Sequence, residues 1–217
     1  GLNGPGATAP FEKAVPGVPG NAVLAQGSLP PKGRILFVGG AGPKSQTFSI
    51  DGDGMDVRQL TNHPQSTSAP TWSPDGEQIA FFAYVDPSDV TTFAIFVQNA
   101  AGGAATQVTA ADDGVADHHP SWSPRGDKIA YITSTDISTQ WDAHVMNVDG
   151  SGDAVVASNA QPLAWSPDGS QIAYRDVDDT LWVMNADGSG KRQISSTTVG
   201  ICDWSPDGET LACHGID

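Results

Sequence analysis

The chain is 217 residues long and carries a formal net charge of −15, from 22 Asp and 3 Glu against 10 Lys and Arg. No basic patch is present to displace phosphate counterions, which argues against nucleic acid as a partner. Nor is there an apolar run of the roughly eighteen residues that a membrane-spanning helix needs. The preference for Asp over Glu is turn chemistry, because Asp bonds its own backbone two residues on.

Residues 1–32 read as an extended arm, with Pro5, Pro10, Pro16, Pro19, Pro30 and Pro31 set among glycines. Two stretches in it, Phe11 to Val15 and Asn21 to Gln26, are strand-capable. Phe11, Val15, Val23 and Leu24 are therefore candidate contacts of a strand-donating arm. No charged and then apolar leader opens the chain at Gly1, so an exported form would have lost its signal.

From Gly33 onward the chain repeats itself. Trp72-Ser-Pro-Asp-Gly76, Trp122-Ser-Pro-Arg-Gly126, Trp165-Ser-Pro-Asp-Gly169 and Trp204-Ser-Pro-Asp-Gly208 each lead into an aliphatic-Ala triplet. A self-similar period of roughly 40 residues marks a propeller or a solenoid. Within each period a second strand carries the triplet, beginning with Arg34 to Val38 in the first. A third strand precedes an Asn-x-Asp-Gly type turn, and a fourth carries Gln-aliphatic-Thr or a variant of it. The third and fourth strands are expected at 48–50 and 58–61, 94–98 and 106–109, 143–147 and 154–157, and 181–185 and 192–195. Short β-branched and aromatic runs between Gly, Asp and Asn turns leave no room for a helix, so the fold class is all-β. Pro presets φ at the second turn position and Gly supplies the positive φ at which the strand restarts. Trp72, Trp122, Trp165 and Trp204 read as structural, each offering a broad apolar surface on which neighbouring units stack.

Cys202 and Cys213, the only cysteines, flank the last of these turns. In a hairpin centred there they sit opposite one another, or one residue out of step if Gly208 forms a bulge. Both a disulfide and two buried free thiols fit that placement; a disulfide would imply an oxidising compartment. Asp51-Gly-Asp53-Gly-Met-Asp56 has calcium-loop composition, but Asn62 stands where the twelfth-position Glu belongs, and the segment aligns with the hairpin turns of the other units.

The connections on the side opposite the Trp-Ser-Pro turns vary in length and chemistry, which is where binding usually resides. The densest of them holds Asp112, Asp113, Asp117, His118 and His119. Imidazole and carboxylate are ligands for divalent cations, so Asp112, Asp113, Asp117 and His118 form a candidate metal site, with calcium as the cation that carboxylates suit. Adjacent histidines on an extended strand point opposite ways, so at most one of His118 and His119 serves it. His144 reads as a packing residue. No Gly-x-Ser-x-Gly elbow, phosphate loop or His-Glu-x-x-His motif is present, and no residue stands out as catalytic.

The string Trp165-Ser-Pro-Asp-Gly-Ser-Gln-Ile-Ala-Tyr174, followed by Leu181-Trp-Val-Met-Asn-Ala-Asp-Gly-Ser-Gly190, closely resembles the TolB-type β-propeller repeat, a relative of the WD-type propellers. The resemblance runs over 33–217. It implies a periplasmic or secreted propeller of four-stranded antiparallel blades that works by binding other proteins. Counted on that pattern, the chain supplies four blades and a half blade. Three resolutions fit the unfinished blade: the arm of the same chain completes it, the arm of another copy completes it, or the chain is a fragment of a larger propeller. The expectation is thus a non-catalytic, extracytoplasmic interaction or self-assembly module, whose partner is a protein and, in a homopolymer, another copy of itself. A monomeric TolB-like binding protein and a hydrolase or lyase with a metal-assisted site in the variable loops are the alternatives.

Overall fold

The computed structural model describes residues 23–24, 33–40, 44–86, 88, 91–110, 115–135 and 141–215. Among them there are seventeen strands and no helix, as the repeat pattern predicts. Unit 1 is the antiparallel meander β1 (Val23–Leu24), β2 (Arg34–Gly39), β3 (Gln46–Asp51) and β4 (Arg58–Gln59). Unit 2 is β5 (Thr67–Trp72), β6 (Gln78–Tyr84), β7 (Phe93–Asn99) and β8 (Thr106–Gln107). Unit 3 is β9 (Ala116–Trp122), β10 (Lys128–Ser134), β11 (Asp142–Asn147) and β12 (Ala154–Ala157), joined to unit 2 by one parallel bridge, Phe93 to Ala116. Unit 4 comprises β13 (Ala160–Trp165), β14 (Gln171–Asp176), β15 (Thr180–Asn185) and the first half of β16 (Arg192–Trp204), whose second half pairs with β17 (Leu211–Gly215).

The Trp-Ser-Pro phrase forms the same hydrogen-bonded corner each time. In unit 2 the Ser73 hydroxyl donates to Asp75 Oδ1 at 2.6 Å and accepts from the Gln78 N–H at 2.9 Å, while the Gly76 N–H closes onto Ser73 O at 2.9 Å. Ser166 and Ser205 repeat this with Asp168 and Asp207. In unit 3 the Asp position is Arg125, and Ser123 turns to Asp127 instead. Arg125 is freed to donate from Nε to Asp168 O of the next corner, at 2.7 Å. The corners also stack: Gly126 lies over the Pro74 ring and Gly208 over the Pro167 ring, at the contact distance of an added Cβ.

The core lies between units rather than within them. Leu36 of unit 1 packs with Trp72, Ile79 and Phe81 of unit 2. Ile95 and Val97 meet Trp122, Ile129 and Tyr131 of unit 3. Val145 and Val156 meet Trp165, Ile172 and Tyr174 of unit 4. Leu181 and Val183 meet Val199 and Cys202 of the last hairpin, with Trp204 packed beside them. Every repeat tryptophan thus faces back onto the unit before it. At about 25 cal/mol per Å2, an indole burying about 150–250 Å2 contributes about 4–6 kcal/mol of transfer free energy to that seam. Two of the rings also donate across it, Trp165 Nε1 to Ser121 O at 3.2 Å and Trp204 Nε1 to Ala164 O at 3.3 Å.

The calcium-like segment is a hairpin turn. Arg34 Nη1 holds Asp51 and Asp56, Arg58 holds Asp56 as well, and the Gly54 N–H closes onto Asp51 O at 2.8 Å. Guanidinium groups occupy the carboxylates that would otherwise face a cation.

Candidate interaction site

The terminal hairpin departs most from the repeat. β16 is a single strand of 13 residues that serves as the outer strand of unit 4 and then as the inner strand of the hairpin. Its corner, Ser205 to Thr210, is hydrogen-bonded like the others. Cys202 stands directly opposite Cys213, with no bulge between them, their Cα atoms are 4.1 Å apart, and they form a disulfide. In units 2, 3 and 4 the place of Cys213 belongs to the buried rings of Phe81, Tyr131 and Tyr174. Cross-linking here does the holding that an aromatic ring does elsewhere, because a two-stranded ribbon buries too little to be stable alone.

Among the described residues, no strand lies against the hairpin beyond the bridge. β17 pairs only with β16 among the described residues, so its far edge presents backbone donors and acceptors without ladder partners. This edge is five residues long, whereas the outer strands β4, β8 and β12 are two, two and four residues long. Short edges are how sheets avoid pairing with strangers, and β17 lacks that protection. Two large aliphatic residues of β16 stand exposed, Ile194 at 42% in the half paired with β15 and Ile201 at 55% in the half paired with β17. Their significance follows from the repeat: Val156, which matches Ile194 in unit 3, is 5% exposed because unit 4 covers it.

Val23 and Leu24 are used within the chain, pairing with Val38 and Phe37 as the first strand of unit 1. Phe11 and Val15 lie outside the described residues.

On the variable-loop face two of the four candidate metal ligands, Asp117 and His118, are described, and their side chains have different partners. Asp117 is 5% exposed and accepts from the Thr133 hydroxyl at 2.7 Å in the seam between units 2 and 3. Burial pushes its carboxyl above the ordinary carboxylate value, against the pull of the Thr133 and Thr109 hydroxyls. His118, next in the strand, points elsewhere, its Nδ1 lying 2.7 Å from His119 Nδ1 and its Nε2 3.3 Å from Ser134 Oγ. Burial, reinforced by the neighbouring imidazole, lowers it to about 4, so it is neutral at ordinary pH. Asp112 and Asp113 lie outside the described residues, among which no cluster of three or more His, Cys, Asp or Glu is placed to hold a metal.

His144, expected from the sequence as a packing residue, belongs to a polar network. Its Nδ1 is 3.2 Å from Asp153 Oδ1 and 3.3 Å from the Tyr131 hydroxyl, which itself donates to Asp153 at 2.9 Å. A recess that the sequence alone does not reveal lies between units 3 and 4, lined by Trp141, Gln161 and Arg175. Trp141 was its one visible signal, being a tryptophan outside the Trp-Ser-Pro phrase.

No protein-family model matches the sequence, and no curated protein does. Solved structures do. A TolB-type protein from Agrobacterium tumefaciens superposes with a TM-score of 0.63 at 20% identity, over 85% of this chain and 72% of that one. An oligogalacturonate lyase solved in complex with manganese gives 0.66 at 14% identity, over 90% of this chain and 61% of the lyase. A chain of the nidogen/laminin complex gives 0.67 at 12% identity, over 88% and 71%. The fold is a β-propeller of the TolB-like kind, and each four-stranded unit is a blade. These relatives include enzymes and non-enzymes, so the likeness carries the fold and not an activity.

Proposed function

We propose that this propeller is a non-catalytic binding module working outside the cytoplasm, and that it binds protein through the terminal hairpin, with a partner strand adding to the edge of β17. The observation that carries the reading is the five-residue edge, without a ladder partner among the described residues, of a hairpin pinned by a disulfide. Strand addition supplies main-chain hydrogen bonds for affinity, and the exposed Ile201, on the strand paired with β17, supplies a side-chain contact beside them. The disulfide supports an oxidising, extracytoplasmic setting, as does the shared fold with TolB.

In the form we favour, the incoming strand is the Phe11 to Val15 stretch of a second copy. Val23 and Leu24 are already engaged in unit 1, which leaves the more distal stretch as donor. Such head-to-tail pairing builds filaments, or rings where the rotation closes.

Light scattering on the full chain, on a chain lacking residues 1–20 and on Ala212→Lys tests this. Ala212 is exposed, and a lysine there places charge at the edge while leaving the pairing with Asp203. The full chain should form species well above 22.4 kDa, and both variants should be monomers. A full chain that is monomeric at every concentration removes the self-assembly form, and equal assembly of all three removes the edge as its site.

A further inference from the structure

The recess on the variable-loop face lies where unit 3 hands over to unit 4, and it has the features of a built site. Its volume is about 270 Å3, near the lower limit of about 300–1,000 Å3 for small-molecule pockets, which suits one six-membered ring. Trp141, at the entry to β11, and the exposed Val177 both line it. The floor is rigid. The Ala160 N–H donates to Trp141 O at 2.7 Å and the Asn159 N–H to Asp142 Oδ1 at 3.0 Å, tying the two units together beneath the recess. Asn159 and Asp179, one on each side, have left-handed backbones with φ of 52° and 56°. Asn and Asp tolerate that region, so the two turns bordering the recess are tight ones.

The polar groups are arranged so that particular ones are left over. Arg175 gives Nε and Nη2 to Gln161 Oε1, the first at 2.8 Å, and Nη1 to Asp179 Oδ1 at 3.1 Å. This fixes the Gln161 amide with its oxygen occupied and its NH2 group without a partner among the described residues. The Trp141 indole N–H and the Asn159 amide are without partners in the same sense. Asp176 is saturated, accepting from the Thr180 N–H, the Thr180 hydroxyl and Trp182 Nε1.

The surplus is thus neutral donors and acceptors beside an indole face. Arg175 is matched by Asp179, and Asp176 leaves the lining at net −1 in a chain of net −15, which disfavours an anion. A metal cation would find no carboxylate free to take it. We infer that this recess binds a neutral pyranose ring, one apolar face of the sugar lying on Trp141 and its hydroxyls bonding to the Gln161 and Asn159 amides. The site is separate from the β17 edge and does not depend on it.

The test is saturation-transfer difference NMR, with titration, of the full chain against D-glucose, D-galactose, D-mannose and D-galacturonate. At least one neutral hexose should bind saturably with a dissociation constant of roughly millimolar, and galacturonate should bind more weakly. Trp141→Ala should abolish transfer, and Gln161→Ala should weaken binding roughly tenfold with an unchanged Tm. Absence of saturable binding by all three neutral hexoses overturns the proposal. So does preference for galacturonate, or wild-type affinity in a folded Gln161→Ala or Trp141→Ala protein.

Discussion

Reducing the Cys202–Cys213 bridge should loosen the terminal hairpin and leave the rest of the propeller intact. The bridge closes a loop with a sequence separation of 11, for which the chain-entropy relation gives about 3 kcal/mol. In a repeat protein stability is a sum of unit terms and nearest-neighbour seams, so the loss falls on the hairpin and its contact with unit 4. About 3 kcal/mol corresponds to opening roughly a hundredfold more often. Native-state hydrogen exchange with and without reductant reads this directly. Ala212, paired with Asp203, should lose about two orders of magnitude of protection. The amides of β14, buried two strands away, should change little. The reasoning fails if the β17 amides keep their protection, because the hairpin would then be held by packing. It fails equally if β14 loses as much as β17, because the blades would then unfold as one.

Glycine substitutions should separate seam from surface. An alanine Cβ at Gly150 would lie 2.2 Å from Val108 O with φ at 85°, whereas at Gly54 it meets nothing within 4 Å with φ at 79°. Gly54→Ala should cost about 1 kcal/mol in backbone strain, and Gly150→Ala more than about 3 kcal/mol; similar losses in urea melts would refute the seam geometry. Trp165→Ala should cost about 3–5 kcal/mol, and a loss below about 1 kcal/mol would deny the tryptophan its place in the core. Acid stability follows from the corner and hairpin turns. Hydroxyls of Ser73, Ser151, Ser166, Ser189 and Ser205 hold Asp75, Asp149, Asp168, Asp187 and Asp207 below the ordinary value of 3.8, Asp168 at about 2. Depressed carboxyls stabilise above their unfolded pKa and lose that contribution as pH falls through the folded value. The turn contribution should therefore be complete above about pH 5 and be lost progressively as pH falls through and below about 2, more shallowly in Ser166→Ala; a decline completed above pH 5 would assign acid unfolding to other groups.

The corners were legible because each is local. Trp, Ser, Pro and Gly at fixed offsets dictate a turn whose bonds lie within six residues, and Ser73, Ser166 and Ser205 obey the same grammar. The cysteine pairing was half legible: the turn set the distance, but only the bulge-free register decided between opposition and a one-residue slip. What stayed hidden depends on distant partners. Nothing between Ser195 and Trp204 marks β16 as one strand shared by two sheets, because its role is set by β15 on one side and β17 on the other. Asp117 and His118 looked like joint ligands in the sequence, yet strand alternation sends one to Thr133 and the other to Ser134. The recess at Trp141 is assembled from Asn159, Gln161 and Arg175, which only the packing of unit 4 on unit 3 brings together.

The β17 edge is the proposed place where a second copy's strand docks. Photo-crosslinking from position 212, in a mixture of isotopically heavy and light full-length chains, tests it most directly. Mixed heavy–light products joining β17 to the Phe11–Val15 segment are the predicted result. Products confined to single chains, or linking β17 to any other segment of a second copy, would contradict it.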